Sequence, residues 1–186
     1  RSNDLALASL IQARLGVPVY LHEGDQKQRG FLVESWPCGI VFEIGPVPQS
    51  LLKAKIINQT RILLEICFEE IRKVQLGHAS FPEKLIVHRH LGSIDFPRDE
   101  NGVPNCSVHP DLDGSDWTPL FKGMPLFLGF DGKTVNFEGE DESIPVFVNE
   151  AAYLEKRISM SLTKREFWPV SKKWKNSLFS LIIGHI

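Results

Sequence analysis

Glu43 is the acidic residue whose setting most suggests chemistry. It follows the apolar run Gly39-Ile40-Val41-Phe42 and stands just before the break Gly45-Pro46-Val47-Pro48. A continuous apolar run of this kind predicts a strand buried on both faces. In open α/β sheets, ligands bind in the crevice beyond the carboxyl ends of the strands. A carboxylate there is partly withdrawn from water, so its pKa rises toward neutrality, as a general base requires. The same position also suits an acid that caps the next helix or pairs with a lysine.

The other chemistry-bearing residues do not assemble into a set. His88 and His90 lie two apart in a strand-like stretch and so share a face. Two imidazoles could hold a metal ion, but a zinc site needs three protein ligands. No third ligand stands nearby, and neither HxxE nor HExxH occurs in the chain. A solvated strand face is the expected role. His109 precedes Pro110 in a turn, and His22-Glu23 opens a polar loop. Asp111, Asp113 and Asp116 echo a calcium loop but lack its closing Glu. No residue is assigned as a metal ligand. The three cysteines, Cys38, Cys67 and Cys106, are far apart and form no CxxC pair. This argues against a disulfide framework or thiolate zinc site and for a reducing, cytoplasmic compartment.

Positioning these residues falls to two stretches of different texture. From residue 1 to 76, helical and strand-like segments alternate. Ser2 or Asn3 can cap a helix carrying Leu5, Ala6, Leu10 and Ala13, and Gly16 can end it. Val17 to Leu21 reads as a short strand, and Glu23 to Gly30 as a surface loop. Leu52, Ile56, Leu63, Cys67, Ile71 and Val74 recur at helical spacing, which predicts a long helix from about Ser50 to Leu76. Such alternation argues for an α/β layer with parallel strands. Residues 77–163 read as β-rich. Short strands are expected at Leu85–Leu91, Val103–His109, Met124–Phe130 and Ile144–Asn149, with Asp131-Gly132 as a hairpin signal. The fold class is therefore α/β followed by all-β. Residues 164–186 form a tail that mixes lysines with Phe167, Trp168, Trp174 and Phe179. Docking on the domain is expected of it in preference to a membrane-surface role.

The 186 residues carry 21 Lys+Arg against 23 Asp+Glu, for a net charge of −2. That balance lacks the basic footprint of a nucleic-acid binder. No apolar run approaches the length that spans a bilayer. The chain begins at Arg1 rather than Met, which hints at a processed or incomplete protein.

Gly39 to Gln49, Gly-Ile-Val-Phe-Glu-Ile-Gly-Pro-Val-Pro-Gln, resembles the signature around the catalytic glutamate of the aspartoacylase and aminoacylase-3 family. Three later blocks resemble that family's C-terminal pattern in order. They are Asp95 to Gly102, His109-Pro110 with Asp116-Trp117 and Pro119-Leu120, and Pro145 to Lys156 around Tyr153. The resemblance covers about residues 1–163. It implies a zinc-dependent deacylase of N-acyl amino acids, typically N-acetyl-aspartate or N-acetylated aromatic amino acids. It also implies the C-terminal part of a carboxypeptidase-like α/β domain (residues 1–76) followed by a barrel- or sandwich-like β domain (77–163). By position, Glu43 matches the general base that takes a proton from the zinc-bound water. Tyr153 matches a tyrosine that reaches from the β domain to bind substrate. The family's zinc ligands, a His-x-x-Glu motif and a later Asp-Leu-His, do not occur here, so zinc is expected from a region outside this chain. The family arginine ten residues before the base falls on Val33, and its tyrosine fourteen before falls on Arg29. Arg29 is thus a candidate substrate-carboxylate clamp, or else a solvated loop arginine. Gly after Pro-x-Pro-Gln is replaced by Ser50.

These residues lead to two expectations. One is a fragment of the deacylase, inactive by itself, with a small N-acyl amino acid as partner and homo-oligomerisation open. The other is a non-catalytic binding or oligomerisation module derived from the family. In either, an α/β layer without its first strands exposes an apolar face.

Overall fold

Apolar residues at Ala6, Leu7, Leu10 and Ile11 make one helical stripe, and they are buried on α1 (Ser2–Leu15). Gly16 ends the helix as expected. It adopts φ 65°, a left-handed conformation that costs glycine nothing, and its N–H donates to the Gln12 carbonyl. The start differs from expectation. Arg1 precedes the first turn and makes no side-chain cap, while Asn3 donates to the Pro37 carbonyl instead.

The structure is a computed structural model that describes residues 1–22, 32–45, 47–48 and 51–184. After α1 come β1 (Val19–Leu21), a 3-10 turn (Leu32–Ser35) and α2 (Ala54–Gln75). Then follow β2 (Lys84–Ile94), β3 (Cys106–Val108), β4 (Pro125–Gly129), β5 (Thr134–Asn136) and β6 (Ile144–Val146). A short α3 (Ala151–Leu154), β7 (Met160–Pro169) and α4 (Lys172–Ile183) complete the chain. The fold is mixed α/β. Strands pair in the orders β1-β2-β7-β6 and β3-β4-β5. The β3-β4, β4-β5 and β6-β7 pairs are antiparallel.

The chain divides into two compact units, each with its own core. The first comprises residues 1–19, 24–86 and 167–186. Its core joins the α1 stripe to Val74 of α2 and Leu178 of α4, with Cys67, Ile71 and Trp174 packed alongside. The C-terminal segment therefore docks on α1, and Ser171 caps α4 by accepting from the Trp174 N–H. Glu70 is buried between α1 and α2. It accepts from Arg14 at 2.6 Å and Lys73 at 2.9 Å, so its charge is satisfied. Arg14 and Lys73 also hold the neighbouring Glu69 carboxyl down to about 2.

The second unit comprises residues 20–23 and 87–166. Its core gathers Val108, Leu112, Leu120, Leu126, Phe127, Phe137 and Met160. Each fully buried aliphatic or aromatic side chain of this kind stabilises the fold by roughly 1.5–3 kcal/mol. The Asp131-Gly132 hairpin joins β4 to β5 as expected. Gly132 takes φ 82°, and the Asp131 carboxylate accepts from the Lys133 N–H.

One expectation fails. Gly39–Phe42 is not a buried strand. Residues 39–45 form no helix or strand, and Val41 is 60% exposed. A strand is held by hydrogen bonds to a neighbouring strand. None of the described strands lies beside this segment in either sheet. A parallel sheet over residues 1–76 is likewise not formed; β1 is the one strand among their described residues.

Candidate active site

α1 positions the segment that carries Glu43. The Asp4 carboxylate accepts from the Gly39 N–H at 2.9 Å and pairs with Arg1 at 2.8 Å. Burial pushes the Asp4 carboxyl up, but Arg1 and the Gly39 N–H hold it below the usual carboxylate range. Arg1 also donates to the carbonyls of Val33, Glu34 and Trp36. The backbone is thus pinned on both sides of Cys38, whose thiol burial pushes up to about 12. No thiolate nucleophile exists there at neutral pH. Beyond the pin, exposure alternates. Ile40 and Phe42 turn toward the core of the first unit, whereas Val41 and Glu43 face outward. Glu43 is exposed, so the partial desolvation expected for it is not present in this chain. Arg29 lies outside the described residues.

Tyr153 sits on α3, in the second unit, half-buried. The Phe147 ring lies 5.6 Å from it, and the Lys156 ammonium lies 5.5 Å over its face. Two non-glycine residues shape the approach, with φ of 56° at Phe147 and 58° at Asn149. Each such conformation costs of order 1 kcal/mol and persists only where the surroundings fix it. Here Val148 donates to the Asp116 carboxylate and Asn149 to the Ser159 carbonyl. Phe147 in turn meets the edge of Tyr20 at 5.1 Å. The Tyr20 hydroxyl hydrogen-bonds His90 Nδ1 at 3.0 Å, and the His22 ring lies 4.7 Å from His90. Tyr20, His22, His90, Phe147 and Tyr153 thereby form one aromatic and imidazole cluster. The sequence singles out Tyr153 as a substrate-contact candidate and weighs His22 and His90 only as loop and strand-face residues; Tyr20 and Phe147 carry no signal in it. About 70 residues separate His90 from Tyr20, and no local pattern signals such a pairing.

His88 and His90 share a strand but not a setting. His88 is buried edge-on against Trp117 at 4.9 Å, and its Nδ1 has no hydrogen-bond partner among the described residues. His88 is therefore not on a solvated face. Burial, with Arg165 nearby, lowers its pKa below the ordinary value. Burial, with His22 nearby, does the same for His90. The unfolded chain then binds more protons than the native one below about pH 6.5. Stability is retained above that pH and falls as the pH drops toward the native values. Urea unfolding at pH 7.5 and 5.5 is expected to show lower stability at pH 5.5, and His88→Phe is expected to shrink the difference. An unchanged difference in His88→Phe would remove His88 from this account.

Zinc does not fit the described residues. Among them, no group of three or more His, Cys, Asp or Glu side chains is placed to hold a metal ion. His22 and His90 supply two imidazoles, one short of a catalytic zinc site and two short of a structural one. Among the described residues, no helix is long and apolar enough to cross a membrane.

Comparison with known proteins gives the same fold a wider setting. Residues 83–165 match the AstE/AspA barrel-sandwich hybrid domain. Over 182 residues the chain is 58% identical to a "Probable aspartoacylase" of Prochlorococcus marinus (strain MIT 9313), covering 98% of this chain and 60% of that protein. A protein of the same name from Parasynechococcus marenigrum (strain WH8102) is 50% identical over 183 residues, again covering 98% of this chain and 60% of the relative. Among solved structures, murine aminoacylase 3 superposes with a TM-score of 0.72 at 31% identity, covering 91% of this chain and 57% of that one. The chain thus spans about 60% of the length of the curated relatives it matches. By sequence and by fold, the chain is similar to proteins named aspartoacylase and to aminoacylase 3, and its residues 83–165 match their barrel-sandwich hybrid domain.

Proposed function

We propose that this chain is the C-terminal portion of a zinc-dependent, cytoplasmic amidohydrolase that removes the acyl group from N-acyl amino acids. N-acetyl-aspartate and N-acetylated aromatic amino acids are the substrate candidates. The observation that carries the reading is the 58% identity to a relative named aspartoacylase, spread over 98% of the chain. In this reading residues 1–76 belong to the hydrolase α/β domain, and residues 77–163 form a β-rich substrate-gating domain.

Glu43 acts as general base. It takes a proton from the attacking water as oxygen adds to the acyl carbon. It then passes the proton to the amine nitrogen as the C–N bond breaks. The zinc ligands belong to the length of the family that this chain does not span, because the described residues do not fit the ion. Tyr153 offers its hydroxyl to the substrate. The Phe147 and Lys156 contacts hold its ring at a set angle, which lowers the entropy lost on binding. Arg29 remains the candidate for a carboxylate clamp.

The test uses a joined chain, in which the part of the MIT 9313 relative that this sequence does not match precedes Arg1. Tyr153→Phe in that chain removes one hydrogen bond of about 1–1.5 kcal/mol. The KM for the preferred N-acyl amino acid is expected to rise about tenfold with kcat changed less. An unchanged KM for every substrate tried would take Tyr153 out of the binding site.

A further inference from the structure

The two histidines of β2 have no part in the reaction above, yet both stand under the segment that leads to Tyr153. They lie two apart and so project from one face of the strand. There each meets one aromatic residue from elsewhere in the chain. His88, 7% exposed, packs edge-on with Trp117 at 4.9 Å. Its Nδ1 has no hydrogen-bond partner among the described residues, so what His88 offers Trp117 is a ring. His90 packs edge-on with Tyr20 at 6.0 Å, and its Nδ1 hydrogen-bonds the Tyr20 hydroxyl at 3.0 Å.

Trp117 and Tyr20 in turn hold residues 145–149. The Trp117 N–H donates to the Pro145 carbonyl at 2.9 Å, and the adjoining Asp116 carboxylate accepts from the Val148 N–H at 3.2 Å. Trp117 takes φ 68°, so this N–H stays aimed only while the surroundings fix the conformation, and the ring packed on His88 is one such constraint. The Tyr20 ring meets Phe147 at 5.1 Å, and Phe147 meets Tyr153 at 5.6 Å. The ladder between β6 and β7 runs to Val146, opposite Ser161. The next backbone bond across is from the Asn149 N–H to the Ser159 carbonyl, at 2.8 Å. Phe147 and Val148 lie outside the ladder, and Phe147 takes φ 56°. Their placement therefore depends on side-chain contacts, and those contacts lead back to His88 and His90.

We propose that His88 and His90 are positioning residues: acting through Trp117 and Tyr20, they fix Phe147 and so set where Tyr153 presents its hydroxyl to an N-acyl amino acid. Neither histidine touches the substrate. The inference rests on the deacylase reading for the role of Tyr153, and on the contacts of the second unit for the rest.

Amide exchange in the 186-residue chain tests the support without any catalysis. His90→Leu removes the hydrogen bond to Tyr20 and is expected to speed exchange of the Val148 and Asn149 amides at least fivefold. His90→Asn, whose amide reaches the place of Nδ1, should stay within twofold of the parent. His88→Ala should speed the same amides at least fivefold, whereas His88→Phe, which keeps a ring against Trp117, should not. The amides of β4 serve as reference and should exchange alike in all four variants. Unchanged exchange at Val148 and Asn149 in His90→Leu would overturn the proposal. So would equal acceleration of the β4 amides, because the histidines would then support the whole unit and not this segment. In the joined chain, His90→Leu is expected to raise KM about fivefold with kcat changed less, and to add less than twofold in a Tyr153→Phe background. A full fivefold rise in that background would refute the route through Tyr153. A joined chain that cleaves no N-acyl amino acid would refute the deacylase reading, and exchange at Val148 and Asn149 would still decide whether the histidines hold the segment.

Discussion

In the joined chain, Glu43→Gln is expected to lower kcat for N-acyl amino acid hydrolysis by about 10²–10⁴-fold. Glutamine keeps the size and hydrogen-bonding reach of the side chain but cannot accept the proton of the attacking water. KM and zinc content should stay near those of the parent, because the substitution removes an interaction of the transition state and not of the ground state. Steady-state kinetics with metal analysis of the same sample checks both halves. Turnover within threefold of the parent would dismiss Glu43 as the base. Loss of zinc together with turnover would make Glu43 part of the metal site instead.

Phe127→Ala is expected to destabilise the second unit by about 3–5 kcal/mol. Phe127 is 2% exposed on β4, between Val108 of β3 and Val135 of β5, and its ring lies 5.5 Å from that of Phe96. Truncation loses the transfer free energy of the ring and leaves a cavity that paired strands cannot collapse to fill. Urea unfolding followed by circular dichroism measures the loss. Phe130→Ala, at a site 77% exposed, should stay within about 0.5 kcal/mol of the parent. A loss under 1 kcal/mol in Phe127→Ala would mean that the packing of β3, β4 and β5 described above is not the core of that unit.

The elements legible in the sequence are those whose signals are local. Gly16 stops α1 because glycine alone reaches its conformation without penalty. The spacing of Cys67, Ile71 and Val74 places α2 on the core. Asp131-Gly132 turns β4 into β5 because both residues suit the tight turn. Tyr153 was reached through a specific run of residues around it. What escaped depends on partners distant in the chain. The apolar run at Gly39–Phe42 suggests a strand, but a strand also needs a hydrogen-bonded neighbour, and none of the described strands lies beside this segment. His88 and His90 share a strand, yet Trp117 buries one and Tyr20 engages the other. Trp117 and Phe147 adopt positive φ without being glycine, so nothing in their identity marks the bends they make.

Hydrolysis of N-acetyl-aspartate and of N-acetylated aromatic amino acids, assayed with zinc present, tests the central claim most directly. The joined chain should release acetate from at least one of them and retain about one zinc per polypeptide, whereas the 186-residue chain should do neither. Turnover by the 186-residue chain with its own bound zinc, or a folded, zinc-loaded joined chain that cleaves none of these amides, would contradict it.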